Sequence, residues 1–406
     1  MTRRVLDTEV KQYLTVTANY WAFTLTDGAL RMLVVLHFHA LGYSPLQIAL
    51  LFLFYEAFGV LTNLFGGWLG ARWGLNRTMN AGLLLQVLAL AMLLAPSTLL
   101  TVPWVMAAQA LSGIAKDLNK MSAKSGLKFL VAGHAQARLY RWVALLTGSK
   151  NALKGVGFFL GGLLLGVLGF RGAVAAMASA LLLVWVASLF LLRRDFGKAK
   201  AKPKFTELLS GSRAVNSLSA ARLFLFGARD VWFVVALPVF LGTQLGWSHW
   251  QVGGFLALWV IGYGMVQSLA PAITGRQGAP LPDGRTALRW ALPLAAVPAL
   301  MAVLLLRGVT PAPVLVLGLA LFGLLFAVNS ALHSFLILDY AREDGVSLDV
   351  GFYYMANALG RLLGTVLSGW VYQAQGLAAC LWVSAGLLLA AALISRALPR
   401  HNSASA

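Results

Sequence analysis

Leu41-Gly42-Tyr43-Ser44, with Gln47 three residues on, recurs as Leu245-Gly246-Trp247-Ser248 with Gln251, an offset of 204 residues. Asn151-Ala152-Leu153 recurs as Asn357-Ala358-Leu359 at an offset of 206. Two matches at nearly one offset, flanking a basic stretch near the midpoint, read as a duplicated unit of half the chain. If each unit holds an even number of helices, both copies keep the same orientation.

The composition says what surrounds those helices. Of 406 residues, 59% are hydrophobic and 11% charged. A soluble domain carries about 25% charged residues, so most of this chain has no water to face. Twelve helices of ~20 residues place roughly 240 residues in a bilayer. The rest suffices for short loops and one linker, and leaves no room for a soluble catalytic domain. The 41 glycines suit close helix packing in lipid, and 13 prolines are too few for a disordered chain. The expected class is an all-α polytopic membrane protein of 12 transmembrane helices in two pseudo-symmetric six-helix halves. Residues 1–192 form the N-terminal bundle, 193–216 a basic cytoplasmic linker and 217–406 the C-terminal bundle, with the cavity between the two bundles. Hydrophobic runs place the spans at 13–40, 45–73, 77–95, 102–126, 140–169 and 172–192, then at 217–241, 247–274, 286–306, 311–340, 350–374 and 377–396. The polar start, Met1 to Gln12, has no small-residue cleavage site, so no removable signal peptide is expected.

The formal charge is +19, from 32 Lys+Arg against 13 Asp+Glu. Its distribution alternates. One side receives Arg3, Arg4, Arg72, Arg77, Arg138, Arg193, Arg194, Lys198, Lys200, Lys202, Lys204, Arg276, Arg285, Arg342 and Arg400, and the opposite loops only Arg171 and Arg307. That bias puts both termini in the cytoplasm, and nucleic-acid binding would not need it. The single cysteine, Cys380, excludes an internal disulfide and a thiolate metal site. No Walker loop, zinc spacing or Ser-His-Asp arrangement occurs, so neither enzyme activity nor a metal or cofactor is expected.

With the loops and span ends set aside, twelve charges lie deep inside the spans: Asp27, Arg31, Glu56, Lys116, Asp117, Lys120, Lys150, Lys154, Arg222, Arg229, Asp230 and Arg361. Each costs ~2.5–3.5 kcal/mol at a helix centre, so each wants a partner or an aqueous cavity. Eight are basic and four acidic; pairing every acid with one base leaves four cations over. Surplus positive charge in a cavity wants an anion. Asp27 lies one helical turn before Arg31 and can pair with it, whereas Asp230, adjacent to Arg229, is expected to point elsewhere on the helix. Glu56 has no cation within a turn in sequence: either it bridges to a lysine or arginine on a neighbouring helix, or, as an isolated buried carboxyl, it can carry a proton.

Lys116, Lys120, Lys124 and Lys128 recur every fourth residue as one stripe, and Lys150 and Lys154 repeat the spacing. Snorkelling to the headgroups accounts for Lys124 and Lys128 but not for the deeper Lys116. The candidate anion ligands are therefore Arg31, Lys116, Lys120, Lys150, Lys154, Arg229 and Arg361, with Arg31 and Arg229 facing each other across the pseudo-twofold. Asp27, Glu56 and Asp230 are the candidates for proton coupling. His37 and His39 fall near the outer end of the first span, where solvation explains them. Gly66-xxx-Gly70, Gly157-xxx-Gly161 and Gly162-xxx-Gly166 read as helix-packing faces.

Gly67-Trp68-Leu69-Gly70-Ala71-Arg72-Trp73-Gly74-Leu75-Asn76-Arg77, between the second and third spans, resembles the signature loop of the major facilitator superfamily. That loop normally carries an acidic residue where this chain has Ala71. The chain is more specifically similar to the ArsJ family of organoarsenical efflux permeases. The likeness is densest in Thr17-Ala18-Asn19-Tyr20-Trp21-Ala22-Phe23-Thr24-Leu25-Thr26-Asp27-Gly28-Ala29-Leu30-Arg31. It reappears in Asp117-Leu118-Asn119-Lys120-Met121-Ser122 and in Lys150-Asn151-Ala152-Leu153-Lys154-Gly155. The resemblance implies efflux of 1-arseno-3-phosphoglycerate across a bacterial inner membrane, giving arsenate resistance. It also implies a partner enzyme, a glyceraldehyde-3-phosphate dehydrogenase that uses arsenate in place of phosphate. The charges agree in kind, because a polyanionic oxyanion needs several cations, Arg and Lys above all. Proton-coupled antiport by a monomer is the expectation. The alternative is an organophosphate:phosphate exchanger of the same fold, with arginines on the first and seventh spans.

Overall fold

The computed structural model describes residues 2–42, 51–130, 136–192, 211–275 and 281–400. The helices are Thr2–Ala40 (α1), Leu53–Trp73 (α2), Leu75–Met92 (α3), Val102–Leu130 (α4), Gln136–Leu191 (α5), Arg213–Phe233 (α6), Ala236–Thr243 (α7), His249–Thr274 (α8), Gly284–Leu306 (α9), Pro311–Tyr340 (α10) and Val346–Ser395 (α11). Among the described residues there is no strand, and six helical stretches are long and apolar enough to cross a membrane: α5, α6 with α7, α8, α9, α10 and α11.

The 56-residue α5 and the 50-residue α11 are each broken at a glycine, Gly169 at φ 66° and Gly376 at φ 76°. A side chain in that left-handed region meets the following carbonyl, and glycine alone enters it without cost. The breaks fall where the sequence ends one span and starts the next. The repeated Ser-x-x-Gln string also acquires a structural meaning. At α8, the Ser248 hydroxyl accepts from the Gln251 N–H, and the Ser248 N–H donates to Gln251 Oε1 at 2.8 Å. This capping box satisfies two orphan donors at the helix start. Its counterpart, Ser44 with Gln47, lies outside the described residues, as does the basic linker through Ser210. Ser212 then caps α6, which starts at Arg213.

The chain divides into two compact units. The first comprises Met1–Leu139, Ser149–Leu209 and Ala341–Met355; the second comprises Tyr140–Gly148, Ser210–Tyr340 and Ala356–Ala406. In the first, α1 crosses α5 at glycines: a Cβ on Gly157 would stand 3.1 Å from the Gly28 Cα, and one on Gly28 would stand 2.8 Å from the Lys154 carbonyl oxygen. In the second, α6 crosses α11 in the same manner, and a Cβ on Gly364 would stand 3.1 Å from the Gly227 Cα. Small residues let backbones approach in lipid, where dispersion rather than the hydrophobic effect holds helices together. The Gly162-xxx-Gly166 pattern is corrected here. Among the described residues, nothing lies within 4 Å of a Cβ built on Gly166, and only a Leu36 methyl, at 3.8 Å, within reach of one on Gly162. The second unit fills its interior with aromatic rings, Trp232 edge-on to Phe322 at 5.0 Å and Trp259 stacked on Tyr263 at 5.8 Å.

Candidate functional site

In the first unit the charges of α1, α2 and α4 converge. Arg31 Nη2 donates to Glu56 Oε1 at 3.0 Å, and Lys116 Nζ lies 3.9 Å from Glu56 Oε2. Glu56, without a cation nearby in sequence, thus draws two from neighbouring helices. Lys116 Nζ is also 3.9 Å from Asp117 Oδ2, while Lys120 Nζ is 2.5 Å from Asp117 Oδ1. Asp27 is buried and accepts from the Tyr55 hydroxyl at 2.6 Å.

Tyr55 is the residue that sequence reasoning missed. Its ring face carries Lys116 Nζ at 3.8 Å and the Arg31 guanidinium at 4.9 Å, and Phe52 lies on Arg31 at 5.1 Å. Cation–π contacts of this kind contribute about 0.5–2 kcal/mol each, more as water is excluded. α4 reaches Tyr55 because Gly113 has no side chain: a Cβ there would stand 2.5 Å from the Tyr55 carbonyl oxygen. A signal was present, since Tyr55 adjoins Glu56 in the sequence, but aromatic residues in such a chain read as membrane belt.

The lower part of the lysine stripe does not simply snorkel. Lys124 is buried, with its Nζ 5.0 Å from the Tyr354 ring, and Lys120 Nζ lies 4.9 Å from the same ring. Lys128 Nζ donates to the Ala341 carbonyl. The stripe holds the segment that leads into α11, where Arg342 forks onto Asp349 at 3.1 Å through both Nε and Nη2. On α5, Lys150 Nζ donates to Asn151 Oδ1 at 3.2 Å, and Lys154 sits half-buried one turn before the Gly157 crossing.

In the second unit Asp230, fully buried, is held from two sides. Arg229 Nε and Nη2 both reach Oδ1 at 2.6 Å, and Arg361 Nε reaches Oδ2 at 3.1 Å. The expectation that Arg229 and Asp230 point apart is therefore wrong. Their Cβ directions diverge, but the long arginine folds back, its guanidinium lying over Phe226 at 4.9 Å and Phe326 at 5.5 Å. One-to-one pairing fails as well, because Glu56, Asp117 and Asp230 each take two cations. Arg222, also buried, shares the Phe226 ring with Arg229 but takes other partners, donating to Asn357 Oδ1 at 2.9 Å and Ser330 Oγ at 3.2 Å. Asn357 belongs to the second copy of the repeated Asn-Ala-Leu string.

Chemically, each unit presents a carboxylate clasped by two cations. Guanidinium forks and ammonium groups hold phosphate-like oxyanions with the same donors that they offer a carboxylate. Among the described residues no cluster of His, Cys, Asp or Glu is built to hold a metal.

The family model of the Major Facilitator Superfamily matches residues 13–345. No curated protein matches the sequence. Solved structures similar to the chain include the human organic anion transporter MFSD10 (TETRAN), at 19% identity and a TM-score of 0.74 over 97% of this chain and 99% of that one. The E. coli fucose:proton symporter FucP is similar at 12% identity and a TM-score of 0.75, covering 96% and 98%. A bacterial homologue of the iron transporter ferroportin, in its outward-facing state, is similar at 18% identity and 0.73, again covering 96% and 98%. At these identities the likeness speaks for the fold.

Proposed function

Since the chain belongs to the major facilitator superfamily, a family of membrane transporters and not of enzymes, we propose that it exports a small polyanionic organoarsenical, 1-arseno-3-phosphoglycerate, from the cytoplasm by alternating access. Counting each broken helix as two spans, and α6 with α7 as one, supports a reading of twelve spans in a bacterial inner membrane, with both termini cytoplasmic. The bundles are 1–192 and 217–406. Efflux is exchanged for protons through Asp27, Glu56 and Asp230, the chain acts as a monomer, and a glyceraldehyde-3-phosphate dehydrogenase supplies the substrate.

One observation carries the reading: carboxylates clasped by paired cations, Glu56 between Arg31 and Lys116 and Asp230 between Arg229 and Arg361. An incoming phosphate or arsenate oxygen takes the place of the carboxylate oxygen, and a proton arriving on the carboxylate favours that replacement. Lys120, Lys150 and Lys154 add point charge for a substrate that carries two oxyanion groups.

The test is arsenate resistance of an arsenic-sensitive bacterial strain carrying this protein with and without the dehydrogenase. Resistance is expected only with both. Resistance from the protein alone, or none with both, overturns the substrate. The arginines on α1 and α6 also favour an organophosphate:phosphate exchanger. Arsenic-independent exchange of phosphate for glycerol 3-phosphate in membrane vesicles selects that reading.

A further inference from the structure

Arg222 lies outside both clasps. It precedes Asp230 by eight residues on α6, about 12 Å along the helix axis. Its buried guanidinium joins that helix to three others. Nε donates to Asn357 Oδ1 on α11 at 2.9 Å, and Nη1 donates to the Ser330 carbonyl and hydroxyl on α10 at 3.3 and 3.2 Å. Gln267 on α8 donates to the same hydroxyl at 3.0 Å. A neutral amide could join two helices without the cost of a charge in a span. What a guanidinium adds is donors in fixed directions and a flat cationic face.

Two paths lead from Arg222 to the cations around Asp230. On α11, Arg361 follows Asn357 by four residues, one turn along the same face. Between these two contacts α6 and α11 pass backbone to backbone. A Cβ on Gly360 would collide with the Leu223 carbonyl oxygen, and one on Gly364 would stand 2.6 Å from the Gly227 carbonyl oxygen. The helix pair is thus held by Arg222 with Asn357, by the glycine crossing, and by Asp230 with Arg361. On α6, the Phe226 ring carries Arg222 at 3.9 Å and Arg229 at 4.9 Å, so the ring that supports Arg229 as it folds back is itself fixed by Arg222. The repeated Asn-Ala-Leu string takes on a meaning here. In the first unit Asn151 Oδ1 accepts from Lys150 Nζ at 3.2 Å, so each copy of the string seats a cation on its asparagine oxygen.

We propose that Arg222 and Asn357 are the positioning pair of the second unit. They set the rotation and height of α11 so that Arg361 reaches one oxygen of Asp230, and through Phe226 they fix Arg229 on the other. This rests on the reading of the Asp230 clasp as an anion site, because the pair acts on the anion through those two arginines.

Calorimetric binding of 3-phosphoglycerate to the purified protein, set beside thermal unfolding in detergent, tests the pair. Asn357→Leu is expected to weaken binding about tenfold, a usual coupling between neighbouring groups. Asn357→Asp keeps an acceptor oxygen for Arg222 and is expected to bind like wild type. In an Arg361→Gln background the Leu change should weaken binding by about twofold or less, since Arg361 is no longer there to be positioned. A merely structural asparagine would lower the unfolding midpoint and cost the same binding in both backgrounds. That result overturns the proposal, as does an Asn357→Asp variant as weak as Asn357→Leu. Unchanged binding in Asn357→Leu, where Arg361→Gln weakens it, also overturns it. If Arg361→Gln alone binds like wild type, the anion reading of the clasp fails, and the unfolding midpoints still decide the pairing. The losses from Asn357→Leu and Arg361→Gln are expected to overlap in the double variant, and losses that add in full overturn the proposal. If Asn357→Leu fails to reach the membrane, Phe226→Leu decides by the same cycle with Arg229→Lys, where full additivity overturns it.

Discussion

Gly67 on α2 and Gly351 on α11 meet backbone to backbone: a Cβ on Gly67 would stand 2.9 Å from the Gly351 Cα, and one on Gly351 would stand 2.8 Å from the Gly67 Cα. Ser347 completes the contact, its carbonyl oxygen 2.5 Å from the Gly67 Cβ position. The signature loop of the family normally has an acid four residues after Gly67, and here Ala71 is buried instead. The junction of α2 with the start of α11 thus relies on shape where a charge is usual.

Gly351→Ala is expected to destabilise the protein by about 1–3 kcal/mol, the usual cost of overpacking, because the obstruction is backbone and cannot rotate away. Gly369→Ala on the same helix, where none of the described residues lies within 4 Å, is expected to be neutral or mildly stabilising. Thermal unfolding in detergent compares the two. Equal midpoints would show that the crossing relaxes freely.

Tyr55 tests how the cations are positioned. Tyr55→Phe keeps the ring under Lys116 and Arg31 but removes the donor to buried Asp27, an expected loss of about 1–3 kcal/mol in stability. Tyr55→Leu removes the ring as well, and should weaken anion binding beyond the effect of Phe by about 0.5–2 kcal/mol for each cation–π contact. Binding of 3-phosphoglycerate by calorimetry, set beside unfolding midpoints, separates the two effects. Identical binding in the Phe and Leu variants removes the ring from the site.

Part of the fold was readable because its signals are local. Ser248 and Gln251 form a capping box, and Gly169 and Gly376 end spans, whatever surrounds them. The loop charges and the membrane class follow from composition in the same way. The clasped carboxylates were not readable in detail. Sequence spacing finds Asp27 one turn from Arg31, yet Glu56 meets Arg31 across 25 positions and Asp230 meets Arg361 across 131. Those pairs depend on which helices touch, and that in turn depends on the glycine crossings. Arg229 misled for another reason: Cβ direction predicts where a short side chain goes, and an arginine is long enough to turn back.

Asp230 should behave as the centre of a unit and not as one of two separate pairs. Arg361→Gln removes one of its two cations and is expected to cost about 3–5 kcal/mol, the penalty for breaking a buried ionic contact from one side. Asp230→Asn, which takes the carboxylate from both Arg229 and Arg361, is expected to cost at least as much. The double variant should lose less than the sum of the two single variants, because each single change already breaks the contact between Arg361 and Asp230. Unfolding of the two single variants and the double variant measures the coupling. Strict additivity would mean that Arg361 and Asp230 do not depend on each other.

The arginines themselves are tested by exchanging the fork for a point charge. Arg31 offers Nη2 to Glu56, and Arg229 offers Nε and Nη2 together to Asp230. Lysine in either place keeps the charge but loses the planar pair of donors that fits a phosphate or arsenate edge. Arg31→Lys and Arg229→Lys are each expected to lose about 1.5–3 kcal/mol of anion binding, the range for hydrogen bonds to charged groups. Arg72 is the control: it lies exposed at the end of α2, its guanidinium 5.1 Å from the Trp68 ring. Arg72→Lys should change binding little. Vesicle efflux and 3-phosphoglycerate binding, corrected for membrane abundance, rank the three variants. If Arg31→Lys and Arg229→Lys transport like wild type at equal abundance, neither arginine reads the anion. The ligands would then be the lysines of α4 and α5, and Lys120→Gln and Lys154→Gln should show the loss instead.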